Sequence, residues 1–331
     1  MNWYSRRVLQ AILTVYAVLV LSFVFTRVLP GNAGDILRAR LEDEGGMSSA
    51  EIDRQVERFM NMHPDDPIHV AFVDYMINVH QLDLGQSIWY GQSVNELIAV
   101  SLPWTLFIVS WGLFFSFFVG IVLGSVMAYY EGSKIDVGLT SYGMLAGSIP
   151  YYVFAIFLLI ALSYRTGYFP TSGRVGSGLT PGFNWPFIRS VIHHATLPTL
   201  SIVLSGSIAS FSMRGNSIRV LGADYIRVAR LRGLPDRTII TQYVVRNAVL
   251  PMYTGFMISI GNIFGGVIIL EMVFGYQGMG YYMAESVNTR DYPLMMGVFM
   301  VITVAVVVAL LIADLTYPKL DPRIDASGEE L

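Results

Sequence analysis

Long stretches without a charged side chain alternate along this chain with short charged interruptions. The charge-free runs cover residues 8–26, 97–130, 137–164, 190–213, 247–270 and 292–313. Each approaches or exceeds the roughly 20 residues with which a helix crosses about 30 Å of hydrocarbon. Lipid offers a backbone N–H or C=O no partner, so segments this apolar must be helical. The pattern therefore predicts an all-α integral membrane protein with six transmembrane helices.

The polar residues 31–100 are too many for a simple connector and read as a small insert outside the membrane. Ser48-Ser49-Ala50-Glu51 has the spacing of a capping box, with a helix over about 49–61 to follow. Asp66-Pro67 marks a second start, and Ile68, Phe72, Tyr75, Met76 and Val79 then recur at helical spacing. Two roles are open for the insert: it covers the mouth of the membrane domain, or it receives a delivery protein. Residues 164–190, rich in Gly and Pro, read as a loop. Its Tyr168, Phe169, Phe183 and Trp185 suit a membrane interface. Residues 275–291 form a second outer loop. The first apolar run is too long for a signal peptide and lacks a small-x-small cleavage site, so it is expected to stay as an anchor. The division expected is 1–30, anchor and first span; 31–100, insert; 101–318, membrane core with a cytoplasmic loop at 214–247; and 319–331, a polar tail.

Composition agrees with this reading. The 331 residues are 54% hydrophobic and 14% charged, against about 25% charged in soluble domains. Cysteine is absent, which removes disulfides and thiolate metal sites. An N-terminus on the cytoplasmic side puts twelve of the 21 Lys and Arg inside, seven of them between 214 and 246. The insert carries 12 acidic and 4 basic residues. The net charge of −3 thus combines an acidic exterior with a basic interior loop.

That loop holds the most informative stretch, Asp224-Tyr-Ile-Arg-Val-Ala-Arg-Leu-Arg-Gly233. Asp224 is expected to cap a short helix and to suit its dipole. Tyr225, Val228 and Ala229 lie close on one face, with Arg227 and Arg230 elsewhere. Ala229 is small enough for another backbone or side chain to approach closely. Gly233 fits the left-handed position after a helix end, and Leu234-Pro235-Asp236 restarts a helix. By charge alone the loop serves as an orientation signal or binds anionic headgroups. The break at Gly233 and the later Arg246-Asn247-Ala248-x-Leu250-Pro251 are more structured than orientation requires.

These residues resemble the permease loop of ABC importers, and more narrowly the first permease of the dipeptide/oligopeptide/nickel systems. The resemblance runs nearly end to end. It includes Arg27-Val28-Leu29-Pro30-Gly31, Asp83-Leu84-Gly85-Gln86-Ser87, Gly147-Ser148-Ile149-Pro150 and His194-Ala195-Thr196-Leu197-Pro198. It continues through Glu271-Met272-Val273-Phe274, Arg290-Asp291-Tyr292-Pro293 and Leu320-Asp321-Pro322-Arg323. Two positions depart from the family pattern: Leu82 replaces a Gly, and Leu310 stands where the family often has Asn.

The resemblance implies a type I ABC importer permease fold. It implies a coupling helix, with Asp224, Tyr225, Arg227, Ala229, Arg230, Arg232 and Gly233 docked on a cytoplasmic ATPase. A homologous second permease, two ATPase subunits and an extracytoplasmic solute-binding protein would complete the transporter, surrounded by membrane lipid. The chain has no Gly-x4-Gly-Lys-Ser/Thr, so ATP and Mg belong to partner subunits and no cofactor is expected here. Nothing points to nucleic acid. The setting implied is the plasma membrane of a bacterium or archaeon, with both termini cytoplasmic. The cargo expected is peptides, with nickel complexes or oligosaccharides as alternatives.

Other candidates are weaker. His193-His194 are adjacent and lack companion ligands, so no metal site is expected. Ser205-Gly206-Ser207 as a hydrolase nucleophile lacks a His partner. Gly120-x3-Gly124 and Gly261-x3-Gly265 have the spacing for close helix packing, or for lining a moving interface. Asn262, near mid-membrane, either bonds another helix or lines the pathway. Glu271 is the second pathway candidate, near the outer end of span five and possible at the interface alone. Walls with so little charge suit a low-affinity conduit whose selectivity lies in the binding protein. A secondary transporter is the rival from another class, but the spans offer almost no buried carboxylate for an ion site.

Overall fold

The computed structural model describes residues 3–28, 33–44, 46–60, 67–249 and 251–320. Among them every regular element is helical, apart from one isolated antiparallel bridge between Gln86 and Ser93. Leu29–Gly31, Asp66, Leu250, the tail from Asp321 and the surroundings of Arg27, Val28, Gly261, Asn262 and Gly265 lie outside what is described.

Two compact units divide the chain. One comprises residues 3–106 and 277–308, the other residues 107–276 with the C-terminal part of the last helix. In the first unit lie α1 (Trp3–Val28), α2 (Ala33–Glu44), α3 (Ser49–Met60), α4 (Ile68–His80) and the start of α5 (Val94–Tyr129). The second contains the rest of α5, then α6 (Lys134–Gly147), α7 (Tyr151–Leu158), α8 (Trp185–Ser205) and α9 (Ser207–Leu221). It continues with α10 (Asp224–Leu231), α11 (Asp236–Thr238), α12 (Arg246–Ala248) and α13 (Met252–Val273). The chain then returns to the first unit with α14 (Met279–Thr289) and most of α15 (Tyr292–Leu320). The helices α1, α5, α8 and α15 are long and apolar enough to cross a membrane, and α6 with α7 make a fifth span if that bent pair is one. The remaining apolar run, the fifth, forms α13.

Two predicted spans are not straight. The run 137–164 bends by 96° between α6 and α7. Pro150 sits at the bend as the extended residue before α7 and has no N–H to offer a continuing helix. The run 190–213, predicted as one span, is divided at Gly206 into α8 and α9.

In the insert, Leu37 and Leu41 of α2 bury against Ile52 and Val56 of α3. The capping box forms with one variation. Glu51 accepts from the Ser48 N–H at 2.8 Å, and the Ser48 hydroxyl also donates to it at 2.8 Å. These bonds favour the carboxylate and lower its pKa. On α4 the predicted face is largely the buried one. Tyr75 joins Leu19, Phe23 and Met300 in a core, Phe72, Met76 and Val79 pack around it, and Ile68 stays exposed.

Two motifs 204 residues apart meet in this unit. The wholly buried Asp291 accepts from the Ser87 hydroxyl, from the Trp89 N–H at 3.0 Å and from the Leu294 N–H at 3.2 Å. One carboxylate therefore holds the turn around Ser87 and caps α15. Asp291→Ala leaves three donors without this acceptor. It is expected to cost about 1–3 kcal/mol and to open the 83–93 turn to limited proteolysis, which the wild type resists.

Candidate functional site

The basic segment folds on itself before it offers anything to a partner. The helix α9 ends at Gly222, and Ala223 is extended, with φ −77° and ψ 146°. Asp224 is the first residue of α10, not its cap; the cap position is Ala223, which makes no side-chain bond. Asp224 still places negative charge in the first turn, where the helix dipole favours it. At the other end Gly233 has φ +70°. Its N–H donates to Arg230 O at 2.9 Å, and the Leu234 N–H donates to Ala229 O at 3.3 Å. This pair of bonds is a Schellman motif, which needs a residue free to be left-handed. Pro235 then leads into α11, wider π-type turns over Ile239–Val245, and α12.

Burial divides α10 into two apolar faces. Ile226 and Ala229 are buried with Ile239 and Val244, and Val220, Leu221, Leu234 and Tyr243 pack around them. Ala229 therefore lets the segment's own Ile239–Val245 turns approach closely, as its size suggested, and it does not belong to the exposed face. The opposite side exposes Tyr225 by 45%, Val228 by 53% and Leu231 by 81%. Arg227, Arg230 and Arg232 are exposed as well. An apolar strip with guanidinium groups beside it can seat in a groove that has carboxylates at its rim.

The segment is anchored to the helices above it. Met213, Ala248 and Met252 form a buried cluster with Phe117 and Ile121 of α5 around it. The Asn216 side chain donates to Ala248 O at 3.2 Å. At the end of α5 the Tyr129 hydroxyl reaches Asp236. Gly120 and Gly124 let α5 approach α9: a Cβ at 120 would lie 2.5 Å from that of Ala209, and one at 124 would lie 2.6 Å from that of Met213.

One ion pair here was not foreseen. Arg214 makes a two-pronged bond to Asp136, Nε to Oδ1 and Nη2 to Oδ2, both 2.8 Å. Asp136 is nearly buried and also accepts from the Gly132 N–H at 3.0 Å. The pair ties the start of α6 to α9, just before the basic segment. A signal was present, since each charge is the first to border an apolar run.

Of the pathway candidates, Glu271 is wholly buried. Tyr151 and Tyr276 are its electrostatic neighbours. His193 bonds Tyr168 O and His194 bonds Ser190 O, both at 2.8 Å, so each ring has a local structural role. The second unit also holds a cleft of about 300 Å³ where α5, α8, α9 and α13 meet the start of α7. Sequence reading did not find it.

Residues 120–326 match the family described as binding-protein-dependent transport system inner membrane component. The chain belongs to that family. It is 32% identical over 323 residues to the oligopeptide transport system permease protein AppB of Bacillus subtilis, covering 97% of this chain and 98% of that one. A putative peptide permease of Brucella suis is 30% identical over 326 residues, covering 98% and 99%. The inner membrane ABC transporter permease YejB of Escherichia coli O157:H7 is 28% identical over 357 residues, covering 98% of each. This binding-protein-dependent component is thus a multi-pass inner membrane permease of an ABC importer. It is a transport subunit and not an enzyme, and it works with an ATPase and a binding protein.

Asp136→Asn should leave the Arg214 charge without its bidentate partner and lower stability by about 1–3 kcal/mol, read as a fall in Tm of the purified subunit in detergent. Glu131, 4.0 Å from Arg214 and more than half exposed, is the control. Glu131→Gln should change Tm little.

Proposed function

We propose that this permease carries peptides, and that α10 receives the movement of the ATPases. The peptide reading is supported by relatives named as oligopeptide or peptide permeases that align over nearly the whole chain. The observation that carries the coupling reading is the exposed Tyr225–Val228–Leu231 strip, on a helix whose other face is buried in the permease itself. The chain crosses the membrane six times, with α13 as the span beyond those of α1, α5, α6 with α7, α8 and α15. Both termini are cytoplasmic, which puts the Arg-rich segment on the inner side. Residues 31–100 are an outer insert, facing the binding protein. A homologous second permease and two ATPases complete the transporter.

In this arrangement Asp224, Tyr225, Arg227, Arg230 and Arg232 face the ATPase, while Ala229 and Gly233 set the shape of the docking helix. Displacement of α10 reaches the spans through the Ile226–Ala229–Val244 contacts, and through Arg214 and Asp136. Asn262 and Glu271 belong to α13, which lines the pathway.

The test is uptake into proteoliposomes that contain the complete transporter. Peptide uptake should require ATP and survive an uncoupler. Proline cannot adopt the φ of +70° held at Gly233. Gly233→Pro should therefore abolish uptake while the subunit still inserts in the membrane. Uptake that collapses with the proton gradient would refute the importer reading, and normal uptake by the Gly233→Pro variant would refute the coupling role.

A further inference from the structure

The interruption at Gly206 has a physical oddity. It falls inside a charge-free run, and its backbone, with φ −74° and ψ 34°, leaves the helix between Ser205 and Ser207. Non-helical backbone at membrane depth is tolerated where it is buried in protein or lines a cavity. Gly206 lines the cleft of about 300 Å³. From α5, Ser116 approaches so closely that a Cβ at position 206 would overlap its hydroxyl oxygen.

The walls combine two chemistries. Phe117, Ile202, Met252 and Phe256 supply apolar surface, and Ser116 and Ser212 supply hydroxyls. Among the described residues no charged side chain lines the cleft. Serines on these helices commonly donate to a carbonyl one turn back, as Ser125 and Ser141 do at 2.7 and 2.8 Å. On the cleft wall Ser259 does the same, at 2.8 Å. Ser116 and Ser212 have no hydrogen-bond partner among the described residues.

We propose that this cleft is a transient binding subsite for an uncharged stretch of peptide; the inference rests on the peptide reading above. A peptide unit presents one C=O acceptor and one N–H donor, and a hydroxyl can serve either. The apolar walls accept a neutral side chain. A carboxylate or ammonium placed here would lose water and meet no opposite charge. The volume is at the lower end of small-molecule sites, so it holds one or two residues and not a whole oligopeptide. The subsite favours neutral segments in passage and leaves recognition of the whole peptide to the binding protein.

The experiment uses the complete transporter in proteoliposomes, with trialanine and trilysine as probes. Joint Ser116→Ala and Ser212→Ala removes the two hydroxyls and keeps the packing. Trialanine uptake should fall about tenfold, the scale of two lost hydrogen bonds, with trilysine uptake and ATP hydrolysis unchanged. A second variant tests the space itself. A Cβ at Gly255 meets nothing within 4 Å, so Gly255→Leu fills the cleft without displacing backbone, and it too should lower trialanine uptake. Unchanged trialanine uptake in both variants, or equal slowing of both peptides, would overturn the subsite. Those outcomes leave the peptide reading standing as long as the wild type takes up peptide with ATP; a wild type that takes up neither peptide overturns both.

Discussion

In hydrocarbon, each backbone N–H or C=O without a partner costs several kcal/mol, and the rest of this permease depends on that constraint. It makes the apolar runs helical. It also makes every departure from a straight helix costly, so each departure needs support from nearby protein. Pro150 stands at the bend between α6 and α7. Gly206 divides the apolar run 190–213 and lines a serine-bearing cleft. Gly233 closes α10 with two backbone bonds that satisfy its last carbonyls.

A second requirement follows for a subunit that must be moved by another. Force received at the surface reaches the spans only through contacts stiff enough to carry it. The inner face of α10 meets that need through Ile226 and Ala229, packed on Ile239 and Val244. The Arg214–Asp136 pair adds a directional bond between α9 and α6. Its bidentate geometry fixes orientation as well as distance. Close approach of α5 to α9 at Gly120 and Gly124 continues the connection. On the proposed coupling role, these contacts connect the exposed strip of α10 to the helices α5, α6 and α9.

Much of this was legible in the sequence because it follows from local rules. The lengths of the charge-free runs gave the helices, and Gly233 gave the end of α10. The face of α4 was mostly readable from spacing, although Ile68 is exposed. What was missed depends on which residues meet across the fold. The periodicity of α10 could not say which apolar face was already occupied, and the fold shows that Ala229 packs inside. Asp224 was read as a cap because its type suits one, but the chain begins the helix one residue earlier than that requires. Asp291 and Ser87 stood in two separate motifs, and only the fold brings them together. The cleft belongs to five helices, and its serines look ordinary until two of them are found without partners among the described residues.

The most direct measurement is thiol accessibility on the exposed face of α10. The chain has no cysteine, so Leu231→Cys introduces its only thiol, at a position 81% exposed in the subunit by itself. If this face docks the ATPase, a maleimide should label the isolated subunit rapidly and the assembled transporter at least about tenfold more slowly, as expected where an interface excludes water. Equal labelling rates in the two would contradict the docking of α10.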